Sequence, residues 1–518
     1  MKIVNQIKLN IEHSYDDLLS KVAKVLHIKV SDINKDRFKI LRKSIDARDK
    51  SHIIYVYNVA VDYEDDDKFS SIINESSNLK KEGIRPIVVG FGPAGLFASY
   101  VFAVNGLKPI IMERGKSLDD RKKDVEKFFK TLELDENSNV SFGEGGAGAF
   151  SDGKLNTNNK DKTGVYKFVL ETFVKFGADT KILYENLPHI GTDKLTVIIR
   201  NMRDEIVRLG GEIRYSTKFT YDEYKKYADD GIPIILAIGN SSRDTFRDLI
   251  KNGFDIKAKA FAVGFRVAHR QKIINEAQYG EMSRLLPPAT YKLTYDAKNG
   301  HSVYSFCMCP GGYIINSSNY KGYLAINGMS YNDRAGIFAN SAIVETIKPE
   351  ELLGANSAEN LDNVNGISPL IGIAFQEKVE KLAYDLHSGY IPYYVANQND
   401  NNFVNGKCLE NDVFKGLAKY DENIVDIYEK LGLNFSIKDD ILSALKHFSK
   451  IIPGFYDSVL IAGVETRTSS PVSLERDDNF MCNKRHFYPC GEGLGHGGGI
   501  LSSAADGVNV ALSIIKNA

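Results

Sequence analysis

The chain contains no tryptophan and only five cysteines in 518 residues. An odd number of cysteines without framework spacing excludes a disulfide scaffold and suits a reducing compartment. No charge of one sign prevails: 66 Lys plus Arg stand against 67 Asp plus Glu, a formal net charge of -1. There is then no global positive field to hold nucleic acid or an anionic membrane. Long apolar runs are missing too. The longest, such as IPIILAIG and KPIIM, fall far short of the roughly 18 residues of a spanning helix, and MKIVNQIKLN has no signal-peptide apolar core. These absences predict a cytoplasmic protein without membrane partners. What is present is ordinary globular usage, 43% hydrophobic and 26% charged. At roughly 150 residues per domain the length predicts about three domains.

The first eighty residues read as a small separate module. KIVNQIKLNI alternates like a strand. Ser14 then precedes Leu18, Leu19, Val22, Val25 and Leu26 at helical spacing, with Asp17 placed for a capping box. RFKILRKSI and HIIYVYNVAVDY are two β-rich runs. The predicted order is β-α-β-β, closed by a helix over FSSIINESSNL and followed by a linker near residues 76 to 84. From residue 84 the pattern becomes α/β, and RPIVVG suits a central parallel strand. Helices are predicted from Thr192 to Leu209 and from about Ile500 onward, the second with Leu501, Ala504, Ala505, Val508, Ala511, Leu512 and Ile515 on one face. Between about 255 and 454, strand-like FAVGFRVAH, YSFCMCP and YLAIN mix with helices such as the one carrying Phe375, Val379, Leu382 and Leu386. The predicted division is therefore 1–80, a split domain of 84–254 and 455–518, and an α+β lobe at 255–454.

Gly90-Phe91-Gly92-Pro93-Ala94-Gly95 follows the strand IVV and opens a helix. Gly90 permits a tight turn, Gly92 lets the backbone approach a pyrophosphate, and Gly95 lets helix and strand pack closely, while the helix start supplies free N–H donors. A lone GxGxxG is weak evidence. Here the next strand, LKPIIMERG, puts Glu113 eighteen residues beyond Gly95, where a carboxylate can accept from both ribose hydroxyls of an adenosine. Its neighbour Arg114 joins the candidate site. A second glycine-rich stretch, FGEGGAGAFSDGKL, brings Gly145, Gly146, Gly148, Ser151, Asp152, Gly153 and Lys154. It suits close backbone approach to a flat or anionic ligand, or else is a flexible surface loop. A third, YPCGEGLGHGGGILSSAADG, holds Gly491, Glu492, Gly498, Gly499 and Ile500 at the start of the last helix, whose N–H groups and positive dipole end suit a developing anion. A long two-ended ligand needs three such elements; a nicotinamide dinucleotide alone does not.

On these residues the chain resembles the bacterial FAD-dependent dehydrogenase-like proteins, whose flavin domain is similar to that of para-hydroxybenzoate hydroxylase and geranylgeranyl reductase. The resemblance runs in order through LRKSIDARDK, GFGPAG, ERG, SFGEGGAGAFSDGKLNT, LAIGNSSRDTF, FAVGFRVAH, CMCPGG, NGMSYNDRAG, PGFYDSVLIAGVETRTSSPV and GEGLGHGGGILSSAADG. It implies FAD as cofactor, with Gly90, Gly92 and Gly95 at the pyrophosphate, Glu113 at the ribose and Arg121 at a phosphate oxygen. It further implies Glu492 at the ribityl chain or pyrophosphate, and Gly498 to Ile500 at the pyrimidine edge of the isoalloxazine. Gly239 in LAIG matches the strand-end turn of such domains. The chain departs from the pattern in three places. Asn240 and Ser242 replace the expected His and Ala, Ala268 replaces an acid after FRV, and the stretch from Arg214 to Ile234 is too short for the usual β-meander.

Catalytic candidates lie outside that cradle. Cys307 and Cys309 sit two apart in FCMCPGG, on one face of a strand, and read as a redox thiol pair, a metal half-site, or small buried hydrophobes. Arg266, Arg334 and Arg467 either hold an anionic substrate or form structural ion pairs. His269 and His496 read as structural rather than as general bases. The predicted fold class is α/β, a Rossmann-like FAD-binding domain built from discontinuous segments, with an α+β substrate lobe and a small N-terminal β-α-β-β module. No second GxGxxG follows a strand, so NAD(P)H enters as a transient electron donor. The predicted activity is that of an FAD-dependent oxidoreductase of dehydrogenase or reductase type, passing hydride through flavin N5 to a small, anionic substrate. Rival readings are a flavoprotein acting on RNA and a noncatalytic FAD-binding redox sensor. The RNA reading draws on residues 1–50, with twelve Lys plus Arg against seven Asp plus Glu; residues 51–82 reverse that bias with three against seven, which favours a solvated face.

Overall fold

The computed structural model describes residues 1–64, 84–157, 160–353, 367–396, 411–457 and 459–517. The helix expected over FSSIINESSNL and nearly all of the linker after it lie outside the described residues. The N-terminal module has the expected order. Its antiparallel sheet places Ile54–Val61 between Lys2–Asn10 and Lys39–Asp46, covered by the helix Tyr15–Leu26. The Asp17 N–H donates to Ser14 Oγ at 3.1 Å and the Ser14 N–H donates to Asp17 at 2.8 Å, completing the capping box. Leu18, Leu19 and Val22 close on Val4, Ile7 and Val59. The strict alternation expected of the first strand is broken between Val4 and Ile7, with Gln6 at φ 58°. Val4 and Ile7 therefore face the core together and Ile3 is exposed. The module is docked on its neighbour: the Lys43 N–H donates to Tyr184 O at 2.7 Å and the Asn186 N–H to Lys43 O at 3.0 Å.

The second unit is built on a five-stranded parallel sheet in the order Phe487–Pro489, Ile234–Leu236, Ile87–Val89, Ile110–Met112, Glu212–Arg214. Ile87–Val89 and Ile234–Leu236 are wholly buried aliphatic strands, as packing between two helical layers demands. The helix Pro93–Val104 lies so close to the C-terminal helix Ile500–Asn517 that a Cβ on Gly507 would sit 2.1 Å from Ala94 O. That contact explains the small residues of the last helix. Thr192–Arg208 buries Leu195, Ile198, Ile199, Met202 and Ile206 at the expected spacing. Between Arg214 and Ile234 a helix, Tyr221–Asp229, stands where a β-meander would.

The lobe is a seven-stranded sheet in the order Thr294–Asp296, Ser302–Cys309, Phe338–Ile347, Phe261–Arg270, Leu460–Glu465, Ile391–Val395, Ala418–Tyr420. Its centre corrects the expected boundary at 454. Leu460–Glu465 pairs with both Phe261–Arg270 and Ile391–Val395, so the lobe extends past 465; LIAGVE is apolar enough to suit a buried strand of either sheet. A two-stranded ribbon of Ile256–Ala258 with Val472–Leu474 marks where the chain leaves the parallel-sheet unit and returns. The helix Ile371–His387 also differs from expectation. It buries Phe375 and Val379 but exposes Leu386, while Gln376 and Glu380 are buried, because its inner face carries an ion cluster. Among the described residues no helix is long and apolar enough to cross a membrane.

Candidate functional site

The carboxyl ends of the parallel strands open onto an elongated cavity lined by all three glycine-rich stretches and by the lobe. Gly90 turns at φ 96°, and a Cβ there would lie 2.3 Å from Ala237 O; a Cβ on Gly95 would lie 1.9 Å from Gly90 O. Gly95 thus serves close packing and does not line the cavity. Gly92 is the N-cap of the helix with Pro93 in the first helical position, and an added Cβ would meet only Gly146 Cα, at 3.6 Å. The Gly145 N–H donates to Phe91 O at 2.8 Å. That bond stitches the second glycine-rich stretch to the first, so the stretch belongs to the site and is not a free surface loop. Pro93, Ala94, Gly146, Gly148, Ser151, Asp152, Gly153 and Lys154 line the cavity. Gly145 does not, since its Cβ position points 2.7 Å from Ile199.

At one end Glu113 is buried and accepts from the N–H groups of Phe91 (2.8 Å), Gly115 (2.8 Å) and Gly143 (3.0 Å). A carboxylate has about four acceptor positions, so one is left, on Oε2. Glu113 can take one ribose hydroxyl rather than both, and it also ties three loops together. Arg114 lines the same end, 3.9 Å from the centre of the Phe142 ring and 3.1 Å from Asp244, which Lys218 also reaches at 2.7 Å. Burial opposes ionisation of Asp244, yet the two cations hold it down to about 2. Arg121 does not reach the cavity, which corrects its expected phosphate contact. It is fully buried and donates to the carbonyls of Asn139, Val140, Gly143 and Glu144 at 2.7–3.2 Å. Four of its five N–H groups are thereby used to shape the second glycine-rich stretch.

Gly239, at φ 72°, and Gly498 and Gly499 have nothing within 4 Å of where a Cβ would be. These three cavity-lining positions form a cradle that side chains would fill, as a cofactor lying along bare backbone requires. Gly491 sets Glu492 into the cavity wall, and Asn240 donates to Glu492 Oε1 at 2.9 Å. Withdrawal from water pushes the Glu492 carboxyl up to about 7, against that hydrogen bond. Asn240, a mere departure in the sequence, is therefore a residue of the site; the amide at that position was its only signal. Ile500 begins the last helix at the far end, where the Gly498 N–H is engaged by Ser502 Oγ at 2.9 Å.

The lobe adds Phe306, Cys307, Asn327, Glu465 and Arg467 to the cavity wall. Arg467 pairs with Glu380 at 2.6 and 2.9 Å, and Arg243 engages the same carboxylate at 2.7 and 2.9 Å. Two guanidiniums on one carboxylate leave one positive charge over. Burial works against ionising Glu380, but Arg243 and Arg467 hold it down to about 2. Arg266 is sealed away from the cavity, which corrects its expected substrate contact: it pairs with Glu465 at 2.9 and 3.0 Å and donates to Asn340 and Asn327. Arg334 pairs with Asp152 at 2.6 Å and faces a second, adjoining cavity rather than the first. Lys154 lies 3.4 Å from Asp152 and 4.0 Å from each sulfur of Cys307 and Cys309. Cys309 is buried and does not line the cavity. His269 is buried against Phe455 O at 2.7 Å and pushed down to about 4 by burial, and His496 bonds Leu474 O at 2.8 Å. Both histidines are held in structural hydrogen bonds.

Residues 260–468 match the family described as FAD-dependent protein, C-terminal domain-like, and residues 1–62 match a domain family of unknown function. An uncharacterised protein of Clostridium beijerinckii is 38% identical over 549 residues, covering 99% of this chain and 98% of that one. Among solved structures, a variant of 2-methyl-3-hydroxypyridine-5-carboxylic acid oxygenase is 10% identical with a TM-score of 0.33, over 84% of this chain and 82% of the other. A flavoprotein/dehydrogenase from Cytophaga hutchinsonii is 11% identical with a TM-score of 0.28, over 84% and 79%. The chain belongs to one family with the clostridial protein, and its match to the FAD-dependent family over residues 260–468, together with the glycine cradle, makes FAD its cofactor.

Proposed function

We propose that the protein is an FAD-dependent oxidoreductase of dehydrogenase or reductase type, acting on a small anionic molecule held between the flavin cradle and the lobe. The observation that supports this reading is the surplus positive charge of Arg243, Glu380 and Arg467, of which Arg467 lines the cavity. Bound FAD supplies two-electron chemistry at its N5, with NAD(P)H as a transient donor. The rest falls to the chain's own residues. Arg467 offers an anionic group a planar donor whose orientation Glu380 fixes. Phe306 and Asn327 close the cavity from the lobe side. The start of the helix Ile500–Asn517 lines the cavity, and its positive dipole end would stabilise negative charge growing on a bound flavin. Free thiols at Cys307 and Cys309 suit a reducing compartment, and we place the protein in the cytoplasm.

Anaerobic reduction of the yellow protein by NADH and by NADPH, followed by a screen of acceptors, tests the reading. Reduction by one nucleotide and turnover with a small anionic acceptor is the expected result. A flavin reduced by neither nucleotide and reoxidised by no acceptor would favour a noncatalytic sensor and overturn it.

A further inference from the structure

Cys307 and Cys309 lie where a strand breaks its own register. Along the pairing of Ser302–Cys309 with Phe338–Ile347, Phe306 faces Ala342 and Cys309 faces Asn340, so one extra residue is inserted and Cys307 takes φ 46°. A bulge of this kind re-aims a side chain. Here both sulfurs come to 4.0 Å from a single cation, the Lys154 ammonium, and the Cys309 thiol donates to the Cys307 carbonyl oxygen at 3.3 Å. Cys307 is half-buried and lines both the flavin cavity and the adjoining one, whereas Cys309 is buried behind it. The adjoining cavity also presents Lys292 and Arg334. Asp152 balances only one of the two cations Lys154 and Arg334; a thiolate at Cys307 would balance the other.

The readings left open by the C-x-C spacing can now be separated. A metal half-site needs further ligands, and among the described residues no His, Cys, Asp or Glu cluster forms around this pair; the cluster that does form lies elsewhere, at His301, Glu345 and Asp440. Inert buried thiols hold their protons, as Cys482 and Cys490 do: burial pushes Cys482 up to about 11 and Cys490 well above the ordinary range. Cys307 goes the other way. The adjacent Cys309 thiol, with the charges of Lys154 and Arg266, holds it well below the ordinary thiol range despite burial, while the adjacent Cys307 and burial push Cys309 well above it. The pair releases one proton readily and retains the second.

We propose that Cys307 and Cys309 form a redox-active dithiol for a low-molecular-weight, anionic disulfide entering from the adjoining cavity, Cys307 as nucleophile and Cys309 as resolving thiol. The Cys307 thiolate attacks one sulfur of the disulfide, the substrate S–S bond breaks, and the first substrate thiolate leaves and takes a proton from solvent. Cys309 then loses its proton and attacks the Cys307 sulfur of the mixed disulfide; the second substrate thiolate leaves and takes that proton. The pair is oxidised by two electrons to a Cys307–Cys309 disulfide, and the substrate is reduced by two electrons to two thiols. Lys154 is a positioning residue for the thiolate. The proposal deepens the reductase reading above and rests on it only for the source of the electrons that reopen the disulfide.

The test uses FAD-loaded, full-length protein equilibrated anaerobically with reduced and oxidised glutathione at varied ratio, quenched by alkylation, digested and weighed. The expected result is loss of two hydrogens from the peptide holding both cysteines, a stable glutathione adduct on Cys307 in Cys309→Ser, and neither in Cys307→Ser. At about pH 6, iodoacetamide should modify Cys307 about tenfold faster than an ordinary thiol, and Lys154→Met should remove that advantage and return the pH profile to that of a free thiol. Continued protection of Cys482 and Cys490 reports that each variant is folded, and flavin absorbance reports the cofactor separately. Free thiols at 307 and 309 at every glutathione ratio, in protein that keeps its flavin, overturn the proposal. A 307–309 disulfide in protein whose flavin neither NADH nor NADPH reduces supports it and overturns the reductase reading instead.

Discussion

Two buried guanidinium clusters, one inside the lobe and one where Arg243 of the parallel-sheet unit meets it, use the same chemical groups to different ends. Arg266 meets one carboxylate, Glu465, and the two cancel; Arg243 and Arg467 share one carboxylate, Glu380, and a charge is left over. With a single arginine, burial prevails and the Glu465 carboxyl is pushed up; with two, attraction prevails and Glu380 is held down to about 2. The arginine of the neutral cluster, on Phe261–Arg270, is sealed against Glu465, Asn340 and Asn327, whereas Arg467 of the charged cluster reaches the cavity. Charge left unbalanced, and not arginine as such, distinguishes the wall that can recognise an anion from the wall that holds the lobe together.

The largest effect should come from removing the shared carboxylate. Glu380→Ala leaves two guanidiniums without a counterion, and the folded FAD-loaded protein should lose about 3–5 kcal/mol, read from urea unfolding midpoints. A loss below about 1 kcal/mol would mean that both cations are solvated through the cavity and that the cluster is not a buried one. Acid should act on the same group. Its folded value of about 2 lies below the ordinary 4.5, so its contribution, about 3 kcal/mol, is fully present above the ordinary value and is lost as pH falls toward 2. The stability gap between wild type and Glu380→Gln should therefore narrow over that window.

A smaller and more specific effect separates the two clusters by function. Arg467→Met leaves Glu380 its pairing with Arg243 and turns the charged cluster into a neutral one. KM for an anionic acceptor should then rise at least about tenfold, equivalent to about 1.4 kcal/mol, while FAD is retained. Arg266→Met should lower stability without a comparable change in KM. If KM responds equally to both variants, the surplus charge is not what recognises the substrate.

What was legible in the sequence follows from how local each requirement is. Gly90, Gly92 and Gly95 answer to a turn, a ligand and a helix contact within six residues, and the capping box of Ser14 and Asp17 spans four. Such features leave a mark in any short window. The partners Arg243 and Glu380 are 137 residues apart, and Glu380 and Arg467 are 87 apart, so nothing local reports their meeting. Arg121 was misread for another reason: its partners are backbone carbonyls, which have no residue signature. Glu113 lines the cavity, but its three N–H bonds to Phe91, Gly115 and Gly143 depend on loops whose approach only the fold shows. The boundary at 454 failed because an apolar strand does not announce which sheet it joins.

The smallest effect is expected where both charges of the neutral cluster go at once. Arg266→Met alone leaves Glu465 buried without its cation, and because its carboxyl is already pushed up by burial it should take a proton. An acid whose folded value is raised keeps that proton longer in the folded state, so the single variant should lose stability as pH rises from the ordinary carboxylate value toward the raised one. Adding Glu465→Leu removes the titrating group, and the pH dependence should flatten. It also removes the uncompensated charge, leaving as a defect chiefly the Asn340 carbonyl that Arg266 had satisfied at 2.8 Å. The double variant should therefore unfold within about 1–2 kcal/mol of wild type at neutral pH. Replacing Arg243, Glu380 and Arg467 together by apolar residues can restore stability in the same way, but it should not restore the low KM. A double Arg266 and Glu465 variant as impaired in KM as Arg467→Met would erase the distinction between the two clusters.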